Sequence, residues 1–420
     1  MKLELENIGM LKKAEVEIKG ISLIAGPNDS GKSTISKTFY SVVRGLNLNK
    51  KAFEKWKNET IKKDYQEVLK ILRANDVKLE KIITNDVNEE WINKIKEHSD
   101  KVNKTEHQKE EFKKSIYRIN YYLNLDFDSK EAREEEIFQY LAQEFKNQTS
   151  SIFKEKEALV KISDIEGHTE FSINEYYTLN HAKTITLKDN IDLYYTDSFY
   201  IESPLIVDSS LESSVTITDI YDETIRDRKI HLKKTLSNQV ASPNNLDENY
   251  TKKINLILKD IQNIINGEIV IDPIDGISYK KNNQDINIDN VAVGIKSFGV
   301  LQLLLKMGRI NSRTLLIIDE PEIHLHPNWQ IKYAETLVLL SKELDVPILT
   351  ASHSPYFIEA LDIYSRKHKF NSFVNFYYTK KSKDGLTSEL INSTENLTPL
   401  LSTLTDAYYI LKEVEDEFDN

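Results

Sequence analysis

Gly26-Pro27-Asn28-Asp29-Ser30-Gly31-Lys32-Ser33-Thr34 follows the apolar run Ile21-Ser22-Leu23-Ile24-Ala25 and opens a stretch of helical spacing from Ser33 to Val43. The nine residues match G-x-x-x-x-G-K-[S/T] in the context that gives the pattern its mechanism, a strand before and a helix after. Gly26 and Gly31 let backbone N–H groups turn inward around anionic oxygens, and the helix N-terminus adds its partial positive charge. Gly26, Asn28, Ser30, Gly31 and Thr34 are therefore candidate phosphate-cradle residues. Lys32 can reach the β- and γ-phosphates, and Ser33 can ligate Mg²⁺. The expected ligands are ATP and Mg²⁺. On the helix, Thr34, Ile35, Thr38, Phe39 and Val42 are the expected buried side.

Far along the chain, Thr314-Leu315-Leu316-Ile317-Ile318-Asp319-Glu320-Pro321 reads as an apolar strand ending in two carboxylates. A strand this apolar belongs in the middle of a parallel sheet, and ligands sit at the carboxyl ends of such strands. Asp319 is the candidate Mg²⁺ carboxylate. Glu320 is the candidate base that orients the attacking water and takes its proton. A third segment, Leu349-Thr350-Ala351-Ser352-His353-Ser354-Pro355, places His353 just past another apolar strand, expected beside the first. An imidazole there can donate a hydrogen bond to a γ-phosphate and so distinguish ATP from ADP. His324 and His326 form a His-x-His pair that can chelate, but in a helix-capping turn the two rings diverge.

Phosphate loop, then I-I-D-E-P, then S-H-S-P: this order resembles ATPases of the ABC class, and most of all the RecF/SMC/OLD-like branch of AAA15 or AAA21 type. The carrying segments are Gly26 to Thr34, Ile317 to Pro327 and Thr350 to Pro355, and the opening Leu5 to Ala14 is similar to the first strands of that branch. The resemblance implies an α/β fold, a P-loop NTPase head of ABC type with a mixed central sheet, carrying an inserted mainly helical region. It gives the His324-His326 pair a structural place beside the carboxylate loop. It also implies a signature segment before the carboxylate strand, and Val291 to Gly299 is the candidate. Val293 stands there where serine is usual, and Ile295 where a second glycine is usual. Gly294 and the following helix N-terminus can still offer backbone donors to a γ-phosphate across a dimer, and Ser297 can supply the missing hydroxyl. No glutamine is assigned to the Mg²⁺-sensing place common in this class.

Around these motifs the chain divides into five expected parts. Residues 1–48 carry the phosphate loop. Residues 49–157 are Lys/Glu/Asn-rich with apolar spacings of three and four, such as Trp56, Ile61, Tyr65, Leu69 and Leu72, and read as a helical insertion without a long coiled coil. Residues 158–208 are strand-rich and end in a buried strand from Asp197 to Asp208. Residues 209–290 hold helical pieces, a loop at Ser242 to Asn245, and a hairpin turning through Pro273 to Gly276. Residues 291–420 hold the signature segment, the carboxylate strand, the histidine, a hairpin turning at Asp384-Gly385, and a helix ending in an acidic tail, Glu413 to Asp419.

The chain has 420 residues and no cysteine, which removes disulfides, thiol nucleophiles and Cys metal sites and fits a cytoplasmic protein. No apolar run approaches the length of a membrane helix. The net charge of −11 argues against this chain coating DNA unaided, while local DNA contact stays open. The resemblance implies head-to-tail homodimers or higher homo-oligomers with ATP between subunits. Three roles compete: an anti-phage defence ATPase like those of Septu, PARIS, Gabija and retron-associated systems, controlling a separate effector such as a nuclease or toxin; a DNA repair or chromosome-maintenance ATPase; and a transporter's nucleotide-binding subunit, which the helical insertion and Ile323-His324-Leu325-His326-Pro327 disfavour. A non-hydrolysing ATP-binding scaffold is the alternative that Val293 leaves open. No nuclease domain is expected within the 67 residues after His353.

Overall fold

The computed structural model describes residues 1–47, 49–75, 87–97, 105–146, 148–149, 158–164, 168–173, 185–188, 193–208, 226–237, 248–272 and 276–418. The loop expected at 242–245, the turn at 273–275 and the end of the acidic tail at 419 lie outside these residues.

Strands β1 (Lys2–Ile8) and β2 (Leu11–Glu17) form an antiparallel hairpin with alternating burial, as their alternating sequence dictates. β3 (Ile21–Ala25) is buried at every position and feeds the phosphate loop into α1 (Lys32–Leu46). Among the described residues four helices follow: α2 (Lys50–Ala74), α3 (Glu89–Lys96), α4 (Glu106–Leu123) and α5 (Lys130–Phe145). Each opens on a side-chain cap from Asn49, Asn88, Thr105 or Ser129, which satisfies an otherwise orphaned first-turn N–H. Phe53, Leu72, Trp91 and Ile119 are among the residues of a small core shared by these helices, and a bidentate Arg118–Asp64 pair ties α4 to α2.

The chain then adds β4 (Ala158–Ser163), β5 (His168–Ile173), β6 (Ile185–Leu187) and β7 (Asp197–Ile201). Helices α6 (Arg228–Ser237) and α7 (Glu248–Ile265) lead to a three-stranded antiparallel sheet, β8 (Glu268–Asp272), β9 (Gly276–Lys281) and β10 (Gln284–Asn287). The remainder is α8 (Val293–Lys306), β11 (Thr314–Asp319), α9 (Pro327–Leu344), β12 (Ile348–Ser352), α10 (Pro355–Lys367), β13 (Val374–Lys381), β14 (Ser388–Asn392) and α11 (Thr398–Phe418). No helix among the described residues is long and apolar enough to cross a membrane.

Among the described residues, eleven strands make one mixed sheet in the order β6-β5-β4-β1-β2-β14-β13-β3-β12-β11-β7. From β13 to β7 every pairing is parallel. From β6 to β2 every pairing is antiparallel. The molecule is thus an α/β P-loop NTPase with a mixed sheet. Successive residues of β3 serve opposite faces: Ile21, Leu23 and Ala25 pack with α8 and α9, while Ile24 joins α1 and α5. A strand covered on both sides needs the continuous apolar run seen in its sequence, and each large side chain sealed there contributes roughly 1.5–3 kcal/mol.

Three elements depart from the reading of the sequence, the first being the expected hairpin at 268–281, which gains a third strand, β10. The strand expected from Asp197 to Asp208 stops at Ile201, and Pro204–Val207 is a 3-10 turn with Ser203 accepting from the Leu205 N–H. Proline preset the turn; Ile206 and Val207 after it are buried without being strand-paired. Helix α1, expected to bury one side, is buried almost all round, because the sheet lies on one face and α5 on the other.

Candidate functional site

The phosphate loop is a cradle of backbone N–H groups made by sterically unusual residues. Gly26 has φ 143°, Asp29 56° and Gly31 89°. A Cβ on Gly26 would stand 2.0 Å from Thr379 Oγ1, and one on Gly31 2.7 Å from Leu11 Cδ2, so both positions demand glycine on two grounds. Gly31 is also the N-cap of α1. It offers no side-chain cap, and no acidic residue occupies the first turn, which leaves the helix N-terminus free for an anion. The loop, with Gly9, Met10, Phe145, Gln148 and Glu320, lines an open cleft of about 440 Å³.

Each loop side chain has a defined place. Lys32 Nζ donates to Gly26 O (3.1 Å) and Pro27 O (2.9 Å), and burial lowers its pKa against the opposing pull of Glu320 and Asp319. Ser30 is buried; its Oγ donates to Pro27 O and lies 2.6 Å from Thr379 Oγ1. Only the Ser30 backbone therefore faces the cradle. Asn28 is exposed at the cleft, and Thr34 stands beside Gly9.

β11 and β12 deliver the other two motifs to the same end of the sheet, since β12 pairs in parallel with both β3 and β11. Ser33 Oγ donates to Asp319 Oδ2 at 3.0 Å, and Tyr200 Oη donates to the same oxygen at 2.9 Å. Asp319 Oδ1 is buried and has no hydrogen-bond partner among the described residues. A hydroxyl, a carboxylate and a sealed, unpaired carboxylate oxygen form a hard oxygen donor set that fits Mg²⁺. Glu320 has φ 50°, a costly left-handed conformation for this residue that turns its side chain off the strand end. His353 Nε2 lies 3.4 Å from Glu320 Oε1. Burial, then the Lys32 charge, lowers the His353 pKa below 6.5, so the ring is neutral at pH 7.

Four contributors escaped the sequence. Tyr200 comes from β7, next to β11. Thr379 comes from β13, whose parallel pairing with β3 puts it against the loop. Glu322 Oε1 accepts the backbone N–H groups of His353 and Ser354 and so holds the histidine loop to the carboxylate loop. Gln148, on the cleft wall, follows the helices 50–145, and no sequence spacing marks it. The lone signal for Glu322 was the run Asp319-Glu320-Pro321-Glu322 itself.

The signature candidate does not line the phosphate-loop cleft, although Ser297 lines a smaller pocket with Asp319 and Glu320 of its own chain. Gly294 lies in the first turn of α8 with its Cα against Trp329 and Leu325; a Cβ there would meet both at 3.1–3.2 Å. Ser297 is buried, and its Oγ donates to Val293 O. Ala292 is exposed and Val293 half-exposed, so the N-terminus of α8 reaches the surface. His326 Nδ1 caps α9 by accepting the Asn328 N–H, and His324 is exposed with φ 66°.

The profile of the AAA ATPase domain family (AAA_15) matches residues 1–358, and the chain belongs to that family. The protein is an ATPase that binds ATP. No curated protein matches the sequence. Among solved structures the chain is similar to the SMC head domain from Thermotoga maritima, at 12% identity and TM-score 0.41, covering 93% of this chain and 97% of that one. It is also similar to the Smc head domain with an extended coiled coil bound to the C-terminal domain of ScpA derived from Pyrococcus furiosus, at 13% identity and TM-score 0.39, covering 99% and 98%. Similarity at this level bears on neither mechanism nor partners.

Proposed function

We propose that the chain is an ABC-type ATPase of the RecF/SMC/OLD-like branch, in which ATP bound between two copies works as a switch. The observation that supports this most is convergence. Lys32 and Ser33, Asp319 with Glu320, and His353 stand at one end of three adjacent parallel strands although some 285 residues separate the first from the second. In this reading the loop N–H groups and the α1 terminus hold the β- and γ-phosphates, and Lys32 swings from Gly26 O and Pro27 O onto them. Ser33 and Asp319 would hold Mg²⁺, which supplies charge neutralisation of the β- and γ-oxygens. Glu320 orients a water against the γ-phosphorus and takes its proton as the bond to the β–γ bridging oxygen breaks and ADP leaves. Neutral His353 donates to the γ-phosphate, and Gln148 faces the nucleotide from the cleft wall. The surface end of α8 offers its N–H groups around Gly294 to the ATP of a second copy. The Ser297 hydroxyl, already bonded to Val293 O, supports that helix turn.

We assign the switch to the control of a separate effector, a nuclease or toxin, in anti-phage defence. This finer assignment rests on the motif resemblance alone. Co-expression with neighbouring genes tests it: a nuclease-like protein that co-purifies in an ATP-dependent way supports it, and a repair or replication protein in its place overturns it. For the ATPase cycle the decisive variant is Glu320→Gln. It is expected to bind ATP, to lose turnover by roughly 10²-fold or more, and to accumulate as a closed dimer or larger assembly in light scattering. Turnover at the wild-type rate sinks the assignment of the base.

A further inference from the structure

Asp319 Oδ2 carries two hydrogen bonds, and the two donors differ in kind. Ser33 belongs to the phosphate loop, whose neighbour Lys32 must leave two loop carbonyls before it can meet a phosphate. Tyr200 belongs to a core strand in register with β11, Tyr200 opposite Ile317 and Ile201 opposite Ile318. Its ring is sealed from solvent and stands edge-on to Tyr40, with centroids 6.2 Å apart. The Arg228 guanidinium lies over it, 4.8 Å from the ring centroid. Arg228 is itself held, by Glu144 near the end of α5 and by Glu202 at 3.1 Å just past β7. In the bond to Asp319 the Tyr200 hydroxyl is the donor and the carboxylate the acceptor.

We propose that Tyr200 is the positioning residue of the nucleotide site: it fixes the Asp319 carboxylate so that Oδ1 stays turned to the cation, and Arg228, clamped between Glu144 and Glu202, fixes Tyr200. With Oδ2 engaged by an immobile donor, rotation of the carboxylate is resisted while the phosphate loop rearranges. The same contacts link the site to α5, so a displacement of α5 that moves Glu144 changes the grip of Arg228 on the ring and the set of the metal carboxylate. The inference rests on the proposed role of Asp319 as a Mg²⁺ ligand.

Tyr200→Phe keeps the ring and its packing and removes the hydroxyl alone. In a Glu320→Gln background, where turnover does not interfere, binding of a fluorescent ATP analogue is titrated with Mg²⁺. Tyr200→Phe is expected to bind the analogue as well as its parent without Mg²⁺ and to need about tenfold more Mg²⁺ for the half-maximal effect, the scale of one hydrogen bond to a charged group. Arg228→Met is expected to move the midpoint the same way by about threefold, as befits an indirect contact. Asp319→Asn is the control. If it shifts the midpoint and Tyr200→Phe does not, the positioning role is overturned while the metal site stands. If Asp319→Asn shifts nothing, the metal reading fails and this inference with it. Equal loss of Mg²⁺-free and Mg²⁺-dependent binding in Tyr200→Phe means that the tyrosine only supports the fold, which also overturns the proposal. An unmoved midpoint in Arg228→Met removes the link to α5.

Discussion

On the roles proposed for His353 and Glu320, one proton switches the site off. The imidazole is neutral because burial and the nearby Lys32 charge both oppose its protonation. Below its lowered pKa it becomes a cation 3.4 Å from the Glu320 carboxylate. With Glu320 as the proposed base, an ion pair there holds the carboxylate away from water and cancels its action. The expected outcome is an acid limb in the pH profile of kcat/KM, which reports the nucleotide-free enzyme, with its midpoint below 6.5 and absent in His353→Asn. A limb that survives in His353→Asn belongs to another group. At this scale the motifs were legible in the sequence because each lies within a few consecutive residues. Glu322 was not: its carboxylate acts on N–H groups 31 and 32 positions later, and only folding sets that pairing.

The element on which the loop depends is α1, and its packing turns on Gly45. A Cβ at that position would stand 2.7 Å from Ile137 Cα and 2.8 Å from Ile137 N, both backbone atoms of α5 that cannot rotate aside. Gly45 is therefore what lets the two helices touch. Gly45→Ala is expected to push them apart and to destabilise the protein by about 1–3 kcal/mol in urea unfolding, against the small gain alanine normally brings to a helix. Stability equal to or above wild type contradicts the close approach. The same crossing explains the all-round burial of α1. Its sequence marks one apolar side, but Tyr40, Ser36 and Ser41 are buried too, beneath α5 and the strands. Whether a second layer covers a helix depends on residues nearly a hundred positions away. Local periodicity carries no trace of them.

For the whole molecule, the question is whether each site needs two copies. The α8 N-terminus is at the surface and takes no part in its own chain's phosphate loop. Lys32→Ala disables the loop. Val293→Glu places a negative charge at a half-exposed first-turn position, where it opposes an incoming phosphate. Each variant alone is expected to be inactive. Mixed in equal amounts, they form heterodimers in which one site joins an intact loop to an intact α8. With one restored site in half of the dimers, about a quarter of the wild-type activity is expected to return. No recovery on mixing overturns the head-to-tail arrangement.

The sequence by itself determined the class of chemistry. Gly26 to Thr34, the carboxylates after Thr314 to Ile318 and the histidine after Leu349 to Ser352 are short-range patterns, and each requires only a strand end and a turn. The resemblance that these motifs carry implied the mixed α/β sheet that holds them. Beyond the expected pairing of the carboxylate and histidine strands, the tertiary structure decided which strands are neighbours. That order, β13-β3-β12-β11-β7, seats Thr379 against the loop and Tyr200 against Asp319 from strands about 120 residues before and 60 after the carboxylate. Hydrogen bonds across a sheet join residues by register in space, and no spacing along the chain encodes that register.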